Sequence, residues 1–162
     1  SLYAIGLIAG NLVNVYSDNA GKDGWEKITL ASTIGGMVIN TAGVTLAHGM
    51  EHPASGLRDI VHGKGLAALT PAIIEASYTG NESKFADIAK LFGGKEAKDL
   101  ALKIRELLKS INLNCTLSDL GIEEKDIPWM AENCMKVSAA SVANNPVVFT
   151  QEQIADIYKK AL

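Results

Sequence analysis

All three histidines of the chain, His48, His52 and His62, fall within fifteen residues. Imidazole is the commonest protein ligand for divalent transition metals, and its charge changes near neutral pH. Crowding of this kind therefore points to metal coordination, proton transfer or both. His48 and His52 are four apart and share one face if a helix runs through them. Pro53 disfavours the α conformation at His52, so that helix is expected to end or bend there. His62 follows a short connection and precedes Gly63-Lys64-Gly65, after which Leu66, Leu69, Ile73 and Ile74 resume a helical period. It is thus expected at or near a helix start. On spacing alone the set could supply three metal ligands, or two ligands and one proton-handling group. Equally, it could be three histidines satisfied by hydrogen bonds in a helical core. A catalytic metal generally has at least three protein ligands and an open position. The pattern is not the His-Glu-x-x-His of metalloproteases, because Glu51 adjoins His52 rather than His48. Glu51 and Asp59 are near enough to steady an imidazole, but each reads more simply as a solvated or capping carboxylate. Lys64 reads as a surface cation.

The elements that must position these residues are helical nearly everywhere, and the fold class is all-α, a multi-helix bundle. Ala97, Leu100, Ala101, Ile104, Leu107, Leu108 and Ile111 keep one apolar stripe, while Lys98, Asp99, Lys103, Arg105 and Glu106 mostly face water. Asn81 is placed to cap a helix from about Glu82, and Thr150 with Gln153 forms a capping-box pattern ahead of Ile154 and Ile157. Pro128 suits the first turn of a helix from about Ile127 to Ala140, and Gly93-Gly94 separates two helices. No run alternates with period two. At the other end, Leu2, Ile5, Ala9, Leu12, Val13 and Tyr16 already follow a helical period. Either Ser1 caps this first helix, or the chain is a piece of something larger.

Composition narrows the class. The chain has 162 residues, 48% hydrophobic and 20% charged, with a formal net charge of -3, so it is neither disordered nor basic enough to suggest nucleic acid as a partner. Residues 1–162 read as a single helical domain. Its two cysteines, Cys115 and Cys134, form no Cys-x-x-Cys pair and read as buried thiols in a reducing, cytoplasmic setting. Charge is uneven: five of 33 charged residues lie in 1–50 and twelve in 82–109, suggesting a buried first layer and a solvated middle. Twenty residues from Ile28 to Ala47 carry no formal charge, long enough to cross a bilayer. Their threonines, Asn40 and glycines instead suggest a core helix packed closely through Gly35 and Gly36, so no membrane partner is expected.

The run from Ala47 to Pro71 (Ala-His-Gly-Met-Glu-His-Pro-Ala-Ser-Gly-Leu-Arg-Asp-Ile-Val-His-Gly-Lys-Gly-Leu-Ala-Ala-Leu-Thr-Pro) resembles the signature of the iron-containing (group III) alcohol dehydrogenases. Leu120-Gly121-Ile122, Ile127-Pro128-Trp129-Met130-Ala131-Glu132 and Asn144-Asn145-Pro146 through Thr150 are similar to that family's C-terminal segments. The likeness covers essentially the whole chain.

That resemblance implies a two-domain dehydrogenase, of which this chain is the C-terminal helical, metal-binding domain. The N-terminal α/β domain, which binds NAD(P), is a partner absent from this sequence. The implied metal is Fe(II), in some members zinc, held by one Asp and three His. By the match His48 and His62 are metal ligands, and His52 lies where a histidine handles protons beside nicotinamide and substrate. The other two ligands would lie upstream of Ser1. The implied reaction interconverts a small alcohol and its aldehyde by hydride transfer, and this chain alone is expected to be inactive. An apolar face left by the absent domain is expected beside His48 and His62, through which copies of the chain could form a homo-oligomer. The reading from a different class is a freestanding helical binding module, holding an anion at the His62-Gly63 helix start.

Overall fold

Helical periodicity with few strand signals becomes nine α-helices and no strands in the computed structural model, which describes all residues 1–162. In chain order these are α1 (Leu2–Tyr16), α2 (Gly21–Ala42), α3 (Leu46–Arg58), α4 (His62–Ser77), α5 (Glu82–Leu91), α6 (Asp99–Ser110), α7 (Ile127–Val137), α8 (Ala139–Ala143) and α9 (Gln151–Ala161). Residues 1–162, expected as one helical domain, divide into two units, Ser1–Gly43 with Glu82–Asn112 and Val44–Asn81 with Leu113–Leu162.

The first unit consists of α1, α2, α5 and α6. α1 packs on α2 and α5, and α5 on α6. Of the expected apolar stripe, Leu100 and Ala101 of α6 and Ala97 just before it are buried, while Ile104, Leu107, Leu108 and Ile111 are half-buried. Gly93 turns the chain after α5 with φ 80°, a left-handed conformation that glycine adopts without strain. Two expectations fail in this unit. The low-charge first layer is not buried: Tyr3, Tyr16, Trp25, Met37 and Ile39 are exposed, and α2 buries only Gly24 and Ala31. Nor are Gly35 and Gly36 close-packing positions, since a Cβ at either would meet nothing within 4 Å. Scarcity of charge permits burial, but a covering surface is needed to produce it. No single helix is long and apolar enough to cross a membrane. Ser1 occupies the N-cap position of α1, yet its side chain makes no capping bond.

The second unit holds the main core. Leu46, Met50, Leu69, Leu117, Ile122, Ile127, Met130, Ile154 and Tyr158 are its large, fully buried side chains. α3 and α4 form a hairpin, with α3 packed on α7 and α8, and α4 on α9. Gly49 allows the close approach of α3, because a Cβ there would stand 3.1 Å from Ser138 Cβ and 3.3 Å from Ser141 Cβ. Thr150 and Gln153 complete the expected capping box at α9. Asn144 and Asn145 act as clamps: Asn144 Nδ2 donates to Val44 O at 3.1 Å, and Asn145 Nδ2 to Ser77 Oγ at 3.0 Å. The helix expected from Ile127 to Ala140 instead breaks at Ser138, between α7 and α8. Cys134 is buried and its thiol is pushed up to about 11 by that burial. Cys115, expected to be buried too, is only half-buried, with its thiol 3.6 Å from Lys64 O.

Large exposed apolar side chains are most frequent on α1 and α2. In the second unit they are Val61, Trp129, Val137 and Val148, of which Val61 adjoins His62.

Candidate metal centre

α3 does not end at Pro53. It runs on to Arg58 with Pro53 inside it. Proline removes the amide that would have bonded the carbonyl of Gly49 and crowds that turn. Tertiary packing outweighs this cost, because Leu46, Gly49, Met50, Glu51, Pro53 and Ala54 are all buried. The phenol of Tyr158 also donates to Met50 O at 2.5 Å, supplying a hydrogen bond to the turn that Pro53 disturbs. His48 and His52 therefore lie one turn apart on the same face of one continuous helix.

The helix stops at Asp59, which adopts the left-handed conformation (φ 50°, ψ 43°) and donates its amide to Ser55 O at 2.8 Å. Asp59 thus caps α3 through its backbone, while its side chain, as one of the two expected readings had it, lies exposed. Ile60 and Val61 reverse the chain, and His62 is the first residue of α4. This short hairpin returns His62 to the other two histidines.

The three rings form a triangle. Their centroids are 5.1 Å apart for His48 and His62, 5.9 Å for His52 and His62, and 6.2 Å for His48 and His52. With metal–nitrogen bonds near 2.1 Å, two imidazoles on one tetrahedral ion have centroids about 5 Å apart. The His48–His62 separation matches that requirement, and both separations involving His52 exceed it. The rings do not sit in private pockets of a helical core. His52 and His62 are exposed and His48 half-buried.

Glu51 corrects the sequence reading. It is neither solvated nor a cap: it is fully buried. One carboxylate oxygen, Oε2, is hydrogen-bonded to His62 Nδ1, and the other, Oε1, accepts from Ser55 Oγ. Glu51, His52 and His62 bring one potential ligand atom each within 4.8 Å of one another. His48 lies outside that trio. The Glu51 oxygens are already engaged, however, whereas the imidazoles offer free lone pairs. Spacing carried no sign of this buried role. A signal did exist in Gly65, whose missing side chain makes room for the carboxylate.

His48 is held below the ordinary histidine pKa, chiefly by burial, then by the neighbouring charges of His62 and His52, with Glu51 opposing them. A lowered value keeps the ring neutral, the state that can bind a metal. The paired imidazoles of His48 and His62 suit iron, zinc or another borderline divalent ion, so the residues fit such a metal. With only neutral donors, further ligands would be needed to complete its coordination. The proposed anion site at the start of α4 fits poorly, because the Glu51 carboxylate already lies against that first turn. Lys64 is exposed, as expected.

Comparison with known proteins bears on this arrangement. Residues 1–162 match the model of the Fe-containing alcohol dehydrogenase family, C-terminal. The 1,3-propanediol dehydrogenase of Klebsiella pneumoniae is 35% identical over 169 aligned positions, covering 99% of this chain and 43% of the relative. The lactaldehyde reductase of Escherichia coli K12 is 30% identical, covering 98% of this chain and 42% of the relative. Among solved structures, a 1,3-propanediol oxidoreductase superposes with a TM-score of 0.90 at 34% identity, covering 99% of this chain and 44% of that one. An alcohol dehydrogenase from an archaeal halo-thermophile of a Red Sea brine pool does so with a TM-score of 0.90 at 30% identity, covering 99% and 43%. The chain therefore spans less than half the length of these relatives.

Proposed function

Because the chain belongs to the Fe-containing alcohol dehydrogenase family, as its C-terminal, all-helical part, we propose that it is the metal-holding portion of an NAD(P)-dependent enzyme that interconverts small alcohols and aldehydes. The observation that carries this reading is the 5.1 Å approach of the His48 and His62 rings from two different helices. In this reading His48 and His62 are metal ligands. His52, set back from both and exposed, holds or passes a proton at an imidazole nitrogen beside the substrate. Bound there, Fe(II) or zinc supplies Lewis acidity toward the substrate oxygen. Buried α3 holds His48 and His52 one helical turn apart, while the Asp59 turn sets the approach of His62.

The remaining ligands and most of the NAD(P) site are assigned to sequence preceding this segment in the relatives, so this chain alone is proposed to be inactive. Its free thiols favour a reducing, cytoplasmic location. The relatives named for 1,3-propanediol and lactaldehyde make three-carbon alcohols and aldehydes the first substrates to try. The test compares alcohol oxidation and bound iron or zinc for the 162-residue chain with those for a protein that includes the preceding half. Turnover and tight metal binding are expected only in the longer protein, with both lost in His48→Ala and His62→Ala. Robust turnover by the short chain, or full metal retention in the double variant, overturns the reading.

A further inference from the structure

Glu51 is the one fully buried carboxylate in the chain, and it lies directly behind the histidine triangle. Its two oxygens are separately engaged. Oε2 meets His62 Nδ1, and Oε1 meets the hydroxyl of Ser55, which also lies 3.0 Å from the carbonyl of Ile60. This arrangement links α3, the reversing turn and the first residue of α4. The backbone around it leaves room for it. A Cβ at Gly65 would come within 2.7 Å of Glu51 Oε1 and 2.8 Å of its Cγ, so the carboxylate occupies the volume that a side chain at 65 would take. The first turn of α4 carries no acidic residue of its own, and Glu51 places a negative charge beside it from the neighbouring helix.

With Oε1 accepting from Ser55, the Oε2 contact as an acceptor selects the His62 tautomer with hydrogen on Nδ1 and a bare Nε2. The other side of the ring faces outward: the His62 side chain is 49% exposed, whereas that of Glu51 is 0% exposed. We propose that Glu51 is the positioning residue of this site, fixing the tautomer and the orientation of His62 so that the Nε2 lone pair points away from the core toward the other imidazoles. Glu51 is not itself a ligand, and Ser55 and Gly65 hold it in place. The carboxylate also brings negative charge near a site whose other donors are imidazoles. This proposal rests on the metal reading for the role of Nε2, but not for the tautomer.

Its test therefore has two arms, both on the whole protein. In the metal-free protein, imidazole nitrogen shifts of His62 are recorded by NMR at about pH 8.5, above the ordinary histidine range. Wild-type protein is expected to show a protonated Nδ1 and a bare Nε2. Glu51→Ala is expected to move the proton toward Nε2, while Glu51→Gln, which keeps the volume and a carbonyl acceptor, lies between the two. In the second arm Zn(II) or Co(II) alone is titrated into each protein. Affinity should fall about 10–100-fold in Glu51→Ala and less in Glu51→Gln. A wild-type His62 protonated on Nε2 overturns the proposal, as do unchanged nitrogen shifts in both variants or metal affinities within twofold of wild type. If wild-type protein binds neither ion, the metal reading fails. The nitrogen shifts then decide the Glu51–His62 relationship by themselves, Glu51→Gln serving if Glu51→Ala does not fold.

Discussion

The hydroxyl of Tyr158, near the end of α9, donates to the carbonyl of Met50 in the middle of α3 at 2.5 Å, and both residues are fully buried. The bond joins the last helix to the helix carrying two of the three histidines, at the turn that Pro53 disturbs.

Tyr158→Phe keeps the ring and leaves the Met50 carbonyl without this buried partner. The carbonyl keeps its helical bond from the Ala54 amide, so a loss of about 0.5–1.5 kcal/mol is expected, the usual net contribution of one hydrogen bond. Urea denaturation followed by circular dichroism measures it. A midpoint unchanged from wild type would mean that the Tyr158 bond adds nothing to stability.

Gly65→Ala tests the space behind His62. The new methyl group would lie 2.7 Å from Glu51 Oε1, and Glu51 is tied at both oxygens, so it cannot swing aside cheaply. Overpacking of this kind costs about 1–3 kcal/mol. Gly63→Ala is the control, since a Cβ there meets nothing within 4 Å. Thermal melts should separate the two variants clearly, and equal melting temperatures would contradict the geometry.

The C-terminal end of α3 is held by Arg58, whose guanidinium donates to Gly121 O at 2.9 Å and to Asp126 Oδ2 at 2.6 Å. Asp126 is kept below the usual carboxylate pKa, first by the backbone amide of Glu123 and then by Arg58. A carboxyl group with a depressed folded-state pKa adds stability above its unfolded value of about 3.9 and loses it as pH falls through the folded value. Asp126→Ala should therefore be less stable than wild type at pH 7, with the difference shrinking below about pH 4. A stability gap that stays constant across paired melts from pH 7 to pH 2.5 would refute the assignment.

The two thiols should behave differently toward alkylation. Cys134 is buried, with its thiol pushed up to about 11, while Cys115 is half-buried near the surface. Since the thiolate is the reactive form, Cys115 should be labelled in the native protein and Cys134 only on unfolding. Mass spectrometry after brief iodoacetamide treatment at pH 8 provides the check. Equal labelling of both would show that Cys134 is not shielded.

Much of this molecule is local and therefore legible in its sequence. The helical period of α6, the capping box of Thr150 and Gln153, and the crowding of His48, His52 and His62 each depend on residues a few positions apart. Neighbours in sequence at those distances are neighbours in space on a helix. The tertiary structure decided what local rules leave open or answer wrongly. Pro53 stays inside α3 because the packed surface around Met50 and Ala54 outweighs one missing amide. α2 stays largely exposed because an uncharged segment is buried only where another surface covers it. Glu51 becomes a buried partner of His62 through a turn at Asp59 and the empty volume of Gly65. A carboxylate's role depends on its surroundings in space, and those were assembled from α3, the turn and α4 only when the chain folded back on itself.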